Sequence, residues 1–242
     1  DPEILFLQSI KDFPLLLYTY NDGLIIGTNL TYIHNFNSLA SKHVNLIRIF
    51  GDESGVLLGE VFKNQTAKGK PLANLFRYVK MDIDYRHIIN FQKTSMHFRA
   101  FAGYGLAFQT EARQGEVTLP FFKSYSAGGP NSMRGWPIRQ LGIGSNIFFD
   151  TIANGELSDK YADIRLEANF EYRFNLFRFF GFWMRGAVFT DIGNIWFRND
   201  LDGTLPLADL TLSRFYKDLA VASGVGARLD FSYFLLRFDL GF

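Results

Sequence analysis

Cysteine is absent from the 242 residues, which excludes disulfides and thiolate metal sites. Charge of one sign is lacking too. The chain carries 25 Lys and Arg against 24 Asp and Glu, a formal charge of +1, so it offers no electrostatic footprint for nucleic acid or for an acidic partner. No apolar run reaches the roughly 18 residues that a membrane helix needs. The opening stretch, DPEILFLQSI, does not read as a signal peptide; an exported protein with this start is a mature product or a piece of one. The four histidines, His34, His43, His87 and His97, have no metal-ligand spacing, and His87 and His97 fall on opposite parities of their segments. No Ser/His/Asp set assembles, and no Gly-Lys-Ser/Thr follows the glycines to cradle a phosphate. The reading is therefore of a chain that is not an enzyme and has no metal and no cofactor.

What the chain has in excess is aromatic surface and glycine: 27 Phe, 11 Tyr, 3 Trp and 22 Gly, at a mean hydropathy of +0.00. Its dominant period is two. In DIRLEANFEYRFN, 163–175, Ile164, Leu166, Ala168, Phe170, Tyr172 and Phe174 alternate with Arg165, Glu167, Asn169, Glu171, Arg173 and Asn175. Helical spacing would scatter those charges around an axis; a strand puts them all on one face. The pattern returns at 76–92, 96–109, 219–231 and 234–242, and with less clean alternation at 3–20, 23–36, 42–62 and 181–198. That predicts about nine strands, many of ten residues or more, with no helix required and no domain boundary.

A soluble sandwich or lipocalin-like barrel also alternates, but here the apolar face is heavily aromatic and the polar face mixes Arg, Glu and Asp with glycine. Long strands of this kind suit a transmembrane barrel. They need about 9–11 residues to cross, show apolar side chains to lipid and keep charges in a wet lumen. Closure satisfies the backbone groups that lipid cannot. Glu171, Arg173 and Arg237 are then lumenal. Complete single-chain bacterial barrels have even strand numbers, so nine strands favours part of a larger barrel, an all-β antiparallel transmembrane fold.

One stretch breaks the alternation: SYSAGGPNSMRGWPIRQLG, 124–142, where Met133, Arg134 and Trp136 sit in a glycine-punctuated turn. An aromatic–x–Ala-Gly-Gly run (Tyr125, Ala127, Gly128, Gly129) precedes Met133, Arg134, Gly135 and Trp136. In order after it come LEANFEYRF with Glu171, FTDIGNIW with Asp191, Gly193 and Trp196, and the final LLRFDLGF. Together these resemble the BamA/TamA barrel-assembly family, a surface-antigen D15-like barrel, and its sixth extracellular loop. The wording is most similar to the TamA-like lipoprotein branch, TamL. Met133 replaces the family's usual valine. The resemblance spans roughly residues 75 to 242.

An arginine at the tip of a loop folded into a lumen can meet two carboxylates through its planar donor fork. Glu171 lies on the polar parity of its strand and Asp191 shares parity with Arg185, so both are expected to face inward. Arg134 then reads as a latch on Glu171 and Asp191, with Gly128, Gly129 and Gly135 allowing the tight path. The plainer alternative is a long surface hairpin with a solvated Arg134 and Trp136 in an aromatic girdle.

The resemblance implies that residues 1–242 are the C-terminal portion of one 16-stranded barrel domain, with a lumen-inserted loop at about 113–160. It also implies that the POTRA repeats, the first strands and the last strand lie outside this chain, whose end matches the penultimate strand. The implied function is insertion and assembly of proteins in the bacterial outer membrane. The implied partners are the outer-membrane lipid bilayer, unfolded outer-membrane protein clients and accessory periplasmic or lipoprotein subunits. A two-partner-secretion transporter of the same superfamily and a passive porin-like channel are the alternatives.

Overall fold

Alternation along the chain becomes alternation of exposure, and with the sense opposite to that of a water-soluble sheet. In the strand Arg77–Asn90, Val79, Met81, Ile83 and Tyr85 are exposed, while Tyr78, Asp82 and Asp84 are buried. Ile83 is 36% exposed and Asp84, its neighbour in the chain, 2%. Charges can be drawn inward only if each finds a partner. Asp84 meets Arg86 and Arg99 at 3.0 Å each. Glu167 meets Arg165 at 2.7 Å and Arg99 at 3.3 Å.

The computed structural model describes residues 23–37, 41–66, 69–108, 118–146, 159–179, 182–198, 206–231 and 233–242. Eight strands follow one another as an antiparallel meander in strict chain order. They are β1 (Gly27–Asn35), β2 (His43–Ser54), β3 (Arg77–Asn90), β4 (Thr94–Phe108), β5 (Ile164–Phe179), β6 (Phe182–Trp196), β7 (Ala220–Asp230) and β8 (Leu235–Gly241). The hydrogen-bonded order runs from β1 to β8 without closing, so the described strands form part of a barrel. The ninth expected strand, at 3–20, lies outside the described residues.

Two expectations need correcting. Helices are present: α1 (Val56–Val61) and α2 (Phe215–Asp218), with single 3-10 turns at Lys63–Gln65 and Phe121–Lys123. The segment read as one strand over 42–62 stops at Ser54, because Gly55 turns into the left-handed region at φ 64° and starts α1. At the other end, β5 continues past residue 175 to Phe179, and its pairing with β6 shifts register between Asn175 and Phe177. Leu176 is the extra residue, so the clean alternation of 164–175 ends where the bulge begins.

The buried apolar cluster forms between the charged face of the sheet and the long β4–β5 connection, not between two sheets. Tyr78, Phe101 and Ile195 from the wall pack with Leu119, Tyr125, Met133 and Ile143 from the connection. Two wall glycines mark the contact. A Cβ on Gly103 would fall 2.5 Å from the Tyr125 ring, and one on Gly105 2.2 Å from the Leu119 side chain. Glycine on the polar parity of β4 is thus the space into which the connection fits. The Tyr125 hydroxyl hydrogen-bonds to Asp82, and the Lys80 ammonium stands 4.0 Å over its ring. Lys123 of the same connection pairs with Asp52 on β2 at 2.7 Å.

Candidate functional site: an arginine held against the wall

The turn that carries Arg134 is built by its own backbone. Gly128 and Gly129 take φ of 108° and 91°, conformations that cost a side chain dearly. Gly129 N–H donates to the Trp136 carbonyl at 2.8 Å, Ser132 N–H to Gly129 at 3.1 Å, and Trp136 N–H to Met133 at 3.2 Å. The Ser132 hydroxyl accepts from Gly128 N–H at 3.1 Å and hydrogen-bonds to Glu167 on β5. Met133 is fully buried in the apolar cluster. That anchor leaves the next side chain, Arg134, against the inner wall.

Cross-strand register supplies the partners. Asn169 of β5 lies opposite Asp191 of β6, and Glu171 opposite Phe189. Arg134 Nε and Nη2 donate to the two oxygens of Asp191 at 2.8 and 2.7 Å, a bidentate pair. Its backbone N–H adds a third bond to Asp191 at 3.1 Å, and Nη1 donates to Glu171 at 2.5 Å. The guanidinium carbon sits 3.6 Å from the centroid of the Phe189 ring. The Arg134 side chain is 7% exposed, Glu171 8% and Asp191 0%. Planar, weakly hydrated guanidinium is the cation suited to this desolvated, two-carboxylate socket. Truncating one member of such a buried pair costs about 3–5 kcal/mol, since the other charge is left unpaired.

Further residues complete the arrangement. Arg228 of β7 donates to Glu171 at 2.7 Å, and Arg173 does so at 2.5 Å. Asp239 of β8 pairs with Arg237 at 2.9 Å and Arg228 at 3.2 Å, and lies 4.0 Å from Arg134. Asn169 Nδ2 donates to Asp191 and to the Ser132 carbonyl, at 3.0 Å each. Backbone approach is as close as the side chains allow. A Cβ on Gly135 would fall 2.7 Å from the Ala222 Cβ, and one on Gly241 2.8 Å from the Arg134 carbonyl oxygen.

The structure therefore brings Arg134, Glu171 and Asp191 together, with Gly128, Gly129 and Gly135 shaping the path and Met133 in the cluster. Trp136 stands apart: it is partly buried against the apolar cluster and its carbonyl closes the turn. Phe189, Arg228 and Asp239 belong to the site and were not anticipated as partners, although Arg228 and Asp239 stood on the polar parity of their strands. A second anchor lies further along β6. The buried Trp196 indole donates to Asp218 at 3.2 Å, and Asp218 also accepts from Ser145 at 2.5 Å and Arg214 at 3.1 Å. At the mouth of β5, the Leu119 N–H donates to Asp163 at 2.7 Å, and burial pushes the Asp163 carboxyl up to about 6. Among the described residues no group of three or more His, Asp or Glu is placed to hold a metal ion.

No curated protein matches the chain in sequence. Among solved structures, it is similar to BamA from Haemophilus ducreyi lacking POTRA domains 1–3, with a TM-score of 0.59 at 17% identity. The likeness covers 88% of this chain and 38% of that one, so the chain spans well under half of that structure's length. At this identity the two share a fold. The family model of the Omp85 superfamily domain matches residues 54–242, most of the sequence, and the chain belongs to the Omp85 superfamily.

Proposed function

We propose that the chain is the loop-bearing portion of an outer-membrane barrel that inserts or assembles other proteins, of the TamA-like lipoprotein branch. On this reading residues 1–242 are part of one barrel domain, and the β4–β5 connection, at about 113–160, is a loop fixed inside its lumen. The observation that carries the proposal is Arg134, seated on Asp191 and Glu171 from a turn whose Gly135 packs on Ala222 and whose Arg134 backbone packs on Gly241. A passive porin has lumen charges but no need of a carboxylate pair holding one loop arginine.

The work of such a barrel is non-covalent. A seam between its first and last strands opens, offers a backbone edge to an incoming strand, and thins the neighbouring bilayer. The loop holds β5–β8 in register while the seam moves. Unfolded outer-membrane proteins are the clients, with accessory periplasmic or lipoprotein subunits as helpers. Conditional depletion of the full-length protein, with quantitation of folded outer-membrane barrels, tests this. A broad or client-restricted loss of folded barrels supports assembly. Loss of one exported protein with all barrels intact assigns the chain to two-partner secretion instead.

A further inference from the structure

Beneath the loop turn lies a cavity of about 720 Å³, within the size range of small-ligand sites. Its lining is unusually cationic: Arg48, Arg86, Arg99, Arg134, Arg173 and Arg237. Two carboxylates, Asp84 and Glu171, share that lining. Widening the count to the ion-pair network behind it adds Arg165 and Arg228 on one side and Glu167, Asp191 and Asp239 on the other. Eight arginines then face five carboxylates, an excess of three positive charges.

The excess is concentrated on one side of the cavity. Arg48 of β2 stands directly opposite Asp84 of β3. Asp84 is nevertheless taken by Arg86 and Arg99, and Arg48 makes no hydrogen bond or ion pair among the described residues. Arg86 and Arg99 are themselves directly cross-strand, a like-charge placement that the single carboxylate of Asp84 bridges. Arg86 donates to Asp84 through Nε and Nη2, leaving Nη1 with no hydrogen bond among the described residues. Arg173 uses only Nε, toward Glu171, leaving both its Nη groups. These donors come from β2, β3 and β5 around one space, not along a line.

We propose that this cavity binds a compact, polyvalent oxyanion: a phosphate or pyrophosphate group, supplied either by a free solute or by a phosphate-bearing lipid headgroup. Low-dielectric walls lined by one sign of charge focus the field on such an anion, and guanidinium forks match its oxygens. An extended acidic polypeptide calls for a track of cations, which this arrangement does not provide. The inference does not rest on the assembly reading and stands or falls separately from it.

The test is calorimetric titration of the full-length protein in detergent micelles with inorganic pyrophosphate, at constant ionic strength. Mixed micelles with a phosphatidic-acid headgroup form the second arm, and a Glu-rich octapeptide the third. Arg48→Gln is the informative variant, because Arg48 makes no hydrogen bond or ion pair among the described residues and its replacement is expected to leave the fold intact. Saturable binding of pyrophosphate or of the lipid, weakened about tenfold by Arg48→Gln (about 1.4 kcal/mol), is the expected result, and the arm that binds names the source. No binding in either arm, binding indifferent to Arg48→Gln, or preference for the octapeptide would overturn the proposal.

Discussion

Arg134 and Asp191 are joined by three hydrogen bonds, two from the guanidinium and one from the backbone N–H, 57 positions apart in sequence. The geometry distinguishes arginine from a mere positive charge. Arg134→Lys is expected to keep charge neutrality but to lose the bidentate fork and the reach to Glu171. In a double-mutant cycle with Asp191→Asn, we expect a coupling energy of about 1.5–3 kcal/mol, the range for hydrogen bonds to charged groups. Urea unfolding of the purified barrel in lipid vesicles measures it, and a coupling near zero would mean the contact is solvated.

Gly241 and Gly135 let the Arg134 backbone lie flat against β7 and β8. Gly241→Ala places a methyl group 2.8 Å from the Arg134 carbonyl oxygen, and the overpacking is expected to cost about 1–3 kcal/mol. The same substitution in an Arg134→Ala background is expected to cost less, because a released loop can move aside. Equal costs in both backgrounds would separate Gly241 from the loop.

Phe189 underlies the guanidinium, and Gly224 gives its ring room, since a Cβ there would fall 2.4 Å from the ring. Phe189→Leu retains the apolar bulk and removes the quadrupole. A loss of about 0.5–2 kcal/mol is expected, read in the same unfolding experiment, with no loss if Asp191 and Glu171 alone define the socket.

Much of this was legible in the chain and some of it was not. The strict parity of 164–175 announces both the strand and the face on which Glu171 stands, and FTDIGNIW places Asp191 likewise. Phe189 breaks the rule that aromatics belong to the lipid face. It shares the parity of Arg185 and Asp191, so the period of β6 does turn it inward; what alternation leaves unread is that its ring carries the loop cation. Arg228 and Asp239 carry the right parity, but their convergence on Glu171 and Arg134 depends on the register of β7 and β8, which alternation leaves open by steps of two. The bulge at Leu176 and the α1 turn after Gly55 are set by the ends of ladders, where the pattern has nothing left to alternate against.

Asp163 provides a pH test. Its carboxyl is raised by burial to about 6, above the ordinary value near 4, so the folded state holds a proton that the unfolded chain releases. Its contribution is fully present below pH 4 and is lost as pH rises through 6, by about 3 kcal/mol. Asp163→Asn keeps an acceptor for the Leu119 N–H and removes the ionisation. The variant is expected to gain stability over the wild type between pH 4 and 7; a constant difference across that window would place the titration elsewhere.

The outward face is tested by charge. Ile83→Arg, midway along β3 on the exposed apolar parity, is expected to cost about 2–4 kcal/mol in a bilayer. In detergent the penalty should shrink. A penalty-free Ile83→Arg in vesicles would contradict the assignment of that face to lipid.

Whether Arg134 holds the β4–β5 loop against the wall is read from limited proteolysis of the loop in assembled membranes. Wild type is compared with Arg134→Ala. The variant barrel is expected to form while its loop is cut at least about tenfold faster, as loss of more than about 1.4 kcal/mol from the closed state requires. Wild-type protection of the loop in the variant would contradict that role of Arg134.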